Sequence, residues 1–294
     1  MLNTDDFFDY IKYELNRSRK TVESYAEDLG SFEAFFKQMP GSLSWETVDS
    51  DVIRNWMEVM MDKGNSATTI NRRLSALRTF YRYALSRNLV KSDPVHSIRG
   101  PKSNKPLPQF LKEAEMDDLL DKQTWGDSYE AIRARTIILT FYETGLRLAE
   151  LVGLDDCSVN LKNRELKVTG KGNKQRVVPF GNELYGALYE YLKKRDETIA
   201  KKCSALFLSS GGQRISRSKV RAIVEKGLTK VCSLKKKSPH VLRHTFATAM
   251  LNHEAGIESL KKLLGHAKLS TTEIYTHTTF EQLKRVYNEA HPRA

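Results

Sequence analysis

The sequence predicts a mainly α-helical protein of two domains, the first all helical and the second mixed α/β with a small antiparallel sheet. Three observations predict this. Apolar residues recur at three- and four-residue spacing through most of the 294 residues. One stretch, LKNRELKVTGKGNKQRVVPF, alternates polar and apolar residues on both sides of TGKGNK instead. A third stretch, DPVHSIRGPKSNKPLP at 93–108, carries four prolines and no period, which reads as a linker. The expected division is residues 1–100, a connecting segment 101–108, and 109–294. A chain of this length favours two domains over one.

The elements follow in order. Residues 4–38 read as helix, with Phe7, Phe8, Ile11 and Leu15 apolar and a break at Asn16–Ser18. The second piece carries the stripe Val22, Tyr25, Leu29, Phe32 and Phe36, and Pro40-Gly41 ends it. Trp45 to Lys63 gives another helix, closed by Lys63-Gly64-Asn65. From Ser66 a longer helix buries Ile70, Leu74, Leu77, Phe80, Tyr81 and Leu85. Its arginines Arg72, Arg73, Arg78 and Arg82 fall largely off that stripe. FLKEAEMDDLLDKQ starts a new helix, and AIRARTIILTFYETGLRLAELVGL gives two helices broken at Thr144-Gly145. Strands are expected near 165–169 and 175–179, joined by a turn holding Lys171. Further helices are expected at 183–195 and 216–230. Ser238-Pro239 opens a helix, Gly265 ends the next one, and Ser270-Thr271-Thr272-Glu273 matches a capping box before Tyr275.

Composition narrows the function. The net charge is +12 and the pI about 9.5. Residues 1–100 hold 14 basic and 14 acidic side chains, so the whole excess lies on 101–294. Within the first block, 64–100 has 7 basic residues against 1 acidic. Clustered positive charge suits a polyanion partner, although a solvated basic face gives the same count. No apolar run approaches the roughly 18–20 residues needed to span a bilayer. The acidic start MLNTDDFFDYIK lacks an export pattern, so a cytoplasmic protein is expected. Cys157, Cys203 and Cys232 are odd in number, lack metal spacing and read as reduced thiols.

The stretch HVLRHTFATAMLNHEAGIESLKKLLGHAKLSTTEIYTH, residues 240–277, carries the chemistry. His240 and Arg243 lie one helical turn apart on one face. His266 follows the glycine stop, and Tyr275 supplies a phenol. Two imidazoles, a guanidinium and a phenol make an anion site with its own nucleophile. Cleaving a DNA phosphodiester without metal needs a nucleophile, charge neutralisation at phosphorus and an acid for the departing 5′ oxygen. Tyr275 attacks and conserves the bond energy as a phosphotyrosyl ester. His240 or His266 accepts or relays its proton. Arg147 and Arg243 grip the non-bridging oxygens, unless Arg147 is simply ion-paired with Glu143 or Glu150. Lys171 at the hairpin turn protonates the leaving oxygen, unless it is an ordinary exposed turn lysine. Other chemistries fit less well. His240 and His244 stand at i, i+4, but position 241 is Val, so the zinc-protease pattern is incomplete and no metal is expected. There is no GxxxxGK[ST] loop and no GxSxG elbow. His244 and His253 read as core or surface residues.

TGLRLAEL, TGKGNKQRVVP, HVLRH, LGHAKLSTTEIYTH and the closing HPRA together resemble the tyrosine recombinases, of the Xer type related to phage integrases. TVESYAEDL and TTINRRLSALRTFYRYA resemble that family's N-terminal core-binding, SAM-like domain, so the likeness spans essentially the whole chain. It implies that Tyr275 forms a 3′-phosphotyrosyl link in a transesterification like that of type IB topoisomerases. Arg147, Arg243 and His266 would stabilise the transition state, Lys171 would be the general acid, and His240 would assist proton transfer. No cofactor is implied. It further implies a clamp on double-stranded DNA, a tetramer of protomers, and a C-terminal segment at 280–294 that docks on the next protomer. A paralogous Xer partner and a DNA translocase at the division septum are the implied protein partners, and chromosome or plasmid dimer resolution the implied role. Ala249 stands where relatives often carry His. A mobile-element integrase with the same chemistry, or a DNA-binding regulator without catalysis, are the alternatives. Candidate DNA contacts are Lys20, Arg72, Arg73, Arg78, Lys174, Arg217 and Lys219.

Overall fold

The computed structural model describes residues 3–103, 109–121, 124–265 and 277–293, with the side chains of Lys171 and of 277–282 also outside that description. The chain divides into two compact units, Met1–Pro106 and Leu107–Ala294.

In the first unit, α1 (Thr4–Asp9) runs into a wider turn, Tyr10–Glu14. It is followed by α2 (Arg19–Phe36), α3 (Ser50–Asp62) and α4 (Ala67–Ser86). Short polar side chains set the starts. Ser18, Asp49 and Ser66 each accept a backbone N–H of the first turn of their helix, satisfying donors that have no intrahelical partner. The helix expected from Trp45 begins only at Ser50. Asp49 Oδ1 takes the N–H groups of Asp51 and Val52 at 2.9 and 3.0 Å, and residues 45–47 form a turn. That turn puts Trp45 into the core, 4.6 Å from Phe80 and 5.2 Å from Phe36 by ring centroids. Aromatic rings at such tilted separations add specificity to the burial that drives collapse. The proline-bearing stretch read as linker from residue 93 contributes Val95 and Ile98 to the same core.

The second unit is built round α6 (Tyr129–Thr144), buried on all sides from Thr136 to Thr144. It packs against α5 (Glu113–Leu120), α8 (Asn182–Thr198), α9 (Arg217–Val231) and α10 (Pro239–Asn252). Thr136 and Thr140 turn their hydroxyls back onto i−4 carbonyls at 2.8 and 2.7 Å, which lets polar side chains sit inside the core. Gly145 ends α6 with φ +60°, and a Cβ there would stand 2.5 Å from Phe246. Glycine is required by both backbone and space. The short helix α7 (Leu148–Val152) follows. The hairpin forms as the alternation predicts, with β2 (Glu165–Thr169) antiparallel to β3 (Gln175–Pro179). A two-residue strand β1 (Val159–Asn160), which the alternation does not foretell, pairs with β2.

The last helices are α11 (Ile257–Leu264) and α12 (His277–Ala290). Leu283 and Tyr287 of α12 are buried with Phe246, Met250, Leu260 and Leu263. The C-terminal segment expected to dock on another protomer thus packs on its own unit in this chain. Tyr287 Oη donates to Glu143 at 3.2 Å, and the His291 ring meets the Tyr142 carbonyl at 3.3 Å. Arg293 pairs with Asp117 at 2.6 Å and also with Glu183. Among the described residues no helix is long and apolar enough to cross a membrane.

Two buried groups at this junction give opposite pH dependence. Burial pushes the Glu143 carboxyl up to about 8, against the hydrogen bonds donated by Gly181, Tyr287 and Leu184. Burial pushes His291 down to about 4. For Glu143 the native state holds a proton that the unfolded state has released, so its contribution is complete in acid and lost as pH rises through 8. For His291 the unfolded state takes up the proton first, so the contribution is present above the ordinary histidine range and lost as pH falls through 4. Melting temperature measured across pH should therefore decline on both flanks. Glu143→Gln should flatten the alkaline flank and His291→Gln the acid one. Unchanged flanks in both variants would remove these groups from the balance.

Candidate active site

Arg147 occupies the N-cap position of α7, two residues past the left-handed Gly145, and its side chain is about one-third exposed. Of the two expected partners it takes Glu150. Its Nη1 donates to Glu150 Oε1 at 2.7 Å and its backbone N–H to Oε2 at 2.9 Å. Glu143 lies elsewhere, accepting the N–H groups of Gly181 and Leu184 at 2.7 and 3.0 Å. The ion pair expected as the bland alternative therefore exists, and it leaves the guanidinium partly open. Arg147 Nη2 reaches the carbonyl of Gly265 at 3.2 Å.

Arg243 is buried at the fifth residue of α10, with its Nη1 donating to the Gly145 carbonyl and its Nη2 to Leu264 O at 2.8 Å. Burial, then the nearby Arg147, depress its pKa to about 10 despite Glu150. It remains a cation at neutral pH, as an arginine in such a site must. His240 is exposed at the second residue of α10. Pro239 stands before it, but the Ser238 hydroxyl does not close the helix end by a hydrogen bond, contrary to the N-cap expectation. Partial desolvation, then the electrostatic influence of the neighbouring His244, Arg243, Arg221 and Arg147, hold His240 below its ordinary pKa. It is a neutral imidazole at pH 7, suited to accept a proton. His244 and His253 are surface residues, the latter meeting Glu113 at 3.1 Å.

Two site residues escaped the sequence reading. Glu150 appeared there only as a possible partner, and Arg176 not at all. Arg176 is on β3 with Val178 on the buried face. Its Nη1 and Nη2 donate to the two oxygens of Glu150 at 3.0 and 2.9 Å, and its Nε to Leu263 O at 2.9 Å. The signal was present, because period-two alternation puts a charged residue at 176 on the same face as Val178. The Glu150 carboxyl is worked upward by burial, but the bonds and charge of Arg176 and then Arg147 outweigh it and hold the pKa low. It is an anion shared by two cations.

The carbonyls of Leu263, Leu264 and Gly265 are thus taken by Arg176, Arg243 and Arg147 respectively. These are the C-terminal carbonyls of α11, which no helical N–H can satisfy. Gly265 ends the helix with φ +64°, and a Cβ there would come to 3.2 Å from the Arg176 guanidinium. His266 and Tyr275 lie outside the described residues, immediately after this turn and shortly before α12. The Lys171 side chain is also outside; its backbone opens the hairpin turn Lys171–Asn173.

The candidate DNA contacts divide. Lys20, Lys174, Arg217 and Lys219 are exposed. Arg72 is exposed but paired with the buried Asp28. Arg73 and Arg78 are half-buried and already hold partners within the first unit. Arg73 lies against Met60 at 3.1 Å and over Trp56, and Arg78 donates to Ile98 O at 2.8 Å.

Residues 109–282 match the phage integrase family, and residues 4–88 match the phage integrase N-terminal SAM-like domain. The chain is 38% identical to the tyrosine recombinase XerC of Pelotomaculum thermopropionicum, over 100% of this chain and 99% of that one. It is 37% identical to the XerC of Natranaerobius thermophilus over 98% of each. Among solved structures it is similar to the XerH site-specific recombinase bound to difH substrate before cleavage. That match has 25% identity and a TM-score of 0.69, and covers 92% of this chain and 79% of that one. The chain belongs to the phage integrase family, the tyrosine recombinases. Within it, the fold and the full-length relatives define a Xer-type site-specific recombinase, which cuts and rejoins DNA.

Glu150→Ala should be strongly destabilising, by about 3–5 kcal/mol, because it leaves the Arg176 cation buried without its anion. Chemical denaturation measures this. A loss no larger than that of an exposed ion pair, under about 1 kcal/mol, would show that Arg176 finds other compensation.

Proposed function

We propose that this chain recombines specific double-stranded DNA sites through a 3′-phosphotyrosyl intermediate, with Tyr275 as nucleophile. Arg147, Arg243 and His266 bind the non-bridging oxygens, Lys171 protonates the 5′ oxygen, and His240 assists transfer of the tyrosine proton. The observation that carries this reading is the convergence of Arg147 and Arg243 on one turn, Leu264–Gly265, directly before His266. Two fixed cations at one turn offer forked donors to a phosphate whose charge grows in the transition state. The similar XerH structure is a complex with its DNA substrate, which supports a DNA site as substrate here. The XerC relatives support a role in dimer resolution; a tetramer of this protomer alone or with a paralogue, under a septal DNA translocase, rests on the motif resemblance alone. Lys20, Arg72, Arg73, Arg78, Lys174, Arg217 and Lys219 are the candidate DNA contacts, of which Lys20, Arg72, Lys174, Arg217 and Lys219 are the exposed ones.

A nicked DNA site, which lets the cut strand diffuse away, should trap covalent protein with the wild type and none with Tyr275→Phe. Adduct formed by Tyr275→Phe would sink the nucleophile assignment. Lys171→Ala should cleave slowly, by about 100-fold or more as expected for loss of a general acid. A bridging sulfur at the 5′ position, which departs without a proton, should restore most of that rate. Binding should fall steeply with salt, as phosphate contacts release counterions. A flat response would contradict the basic surface as a DNA contact.

A further inference from the structure

We propose that Arg176 is a positioning residue for cleavage, holding Arg147 and the turn before His266 in the geometry that receives the phosphate. This rests on the reading of Arg147 and Arg243 as the phosphate-binding pair.

Glu150 would orient Arg147 by itself if its carboxylate were fixed, but a glutamate side chain has three rotatable bonds and α7 is only five residues long. Arg176 removes that freedom by bonding both Glu150 oxygens in parallel from a β-strand. A planar guanidinium can do this in one orientation only. Its third donor, Nε, fixes the Leu263 carbonyl, so the same rigid group also locates the end of α11. Arg243 and Arg147 hold the next two carbonyls, and the chain then enters His266. A side chain on the hairpin is therefore tied to Arg147 through one carboxylate and to the α11 terminus directly. Arg176 is itself buried and lies behind this turn, filling the space that the absent Gly265 side chain leaves open. It acts on the phosphate through others, not by contact.

Lysine at this position keeps the charge but has no planar fork. It can satisfy one Glu150 oxygen or the Leu263 carbonyl, not all three acceptors at their present places. Arg176→Lys should therefore remain folded and bind DNA as the wild type does, while adduct formation under single-turnover conditions falls by about 10- to 100-fold, the scale of a small misplacement of catalytic groups.

The deciding measurement compares two nicked DNA substrates on one preparation. One carries the natural phosphodiester. The other carries a methylphosphonate at the scissile position, with one charged oxygen replaced by a methyl group. Cationic stabilisation matters less on the second. The rate deficit of Arg176→Lys should therefore shrink severalfold on the methylphosphonate, in parallel with that of Arg147→Ala. Partial unfolding cancels, because it lowers both rates equally.

An equal deficit on the two substrates means that Arg176 acts only on folding, and overturns the proposal. Wild-type cleavage by Arg176→Lys, beside a defective Arg147→Ala, overturns the proposal alone. Wild-type cleavage by Arg147→Ala overturns the site reading, and the proposal with it.

Discussion

The Glu150 carboxylate, shared between Arg147 and Arg176, is the interaction on which the catalytic unit's geometry turns. Three cations converge on the turn at Leu263–Gly265, and they repel one another across it. The pKa of Arg243 is depressed first by burial, and Arg147 and then Arg176 add to that by repulsion. A buried ion pair is poor evidence for stability as such, because desolvating both charges offsets most of their attraction. It is better evidence for a fixed arrangement. Glu150 accepts four hydrogen bonds, two on each oxygen, which leaves its side chain one place to be.

The same economy of groups appears at the end of α11. Its last carbonyls need donors, and a helix of eight residues has little cooperativity of its own to resist fraying. Three arginines from β3, α10 and the start of α7 supply those donors. The helix end and the candidate phosphate site therefore meet at Arg147, which caps the Gly265 carbonyl and keeps about one-third of its side chain exposed. Gly145 and Gly265 permit this close approach. Each takes a left-handed backbone conformation, and each lacks a Cβ where a neighbouring side chain already stands.

Much of this was legible beforehand, for reasons that differ from residue to residue. The hairpin strands follow from strict alternation, and the α6 stop follows from a glycine after an apolar helix. Helix starts were legible where a serine preceded the stripe, as at Ser66, and missed at Asp49, where the chain supplies its cap after a turn that the apolar Trp45 disguises. The arginines of α4 show where the pattern stops informing. At 3.6 residues per turn, Arg72 lies about 200° from Ile70, whereas Arg73 and Arg78 sit at about −60° and 80°, on the edges of the stripe. Edge positions can face solvent or fold a long side chain inward. Met60, Trp56 and the Ile98 carbonyl, all distant in sequence, decide for the inward course. Periodicity gives direction from the helix axis and says nothing of what waits there.

Arg147 and Arg176 make the complementary case. For Arg147, both glutamates within reach in sequence were admissible partners, and only tertiary packing distinguishes them. Glu143 lies before the glycine break and turns to the start of α8, while Glu150 lies one helical turn after Arg147 and faces β3. For Arg176, alternation already placed a cation on the buried face of a strand, and a buried cation requires an anion. That demand, taken with the unassigned Glu150 of the LRLAEL stretch, points from one motif to the other before any coordinates exist. Seen this way, the ion pair between Arg147 and Glu150 is no rival to a role in phosphate binding. A guanidinium held on one edge by a carboxylate, and anchored from behind by a second arginine, is the pre-set charge that such a reaction needs.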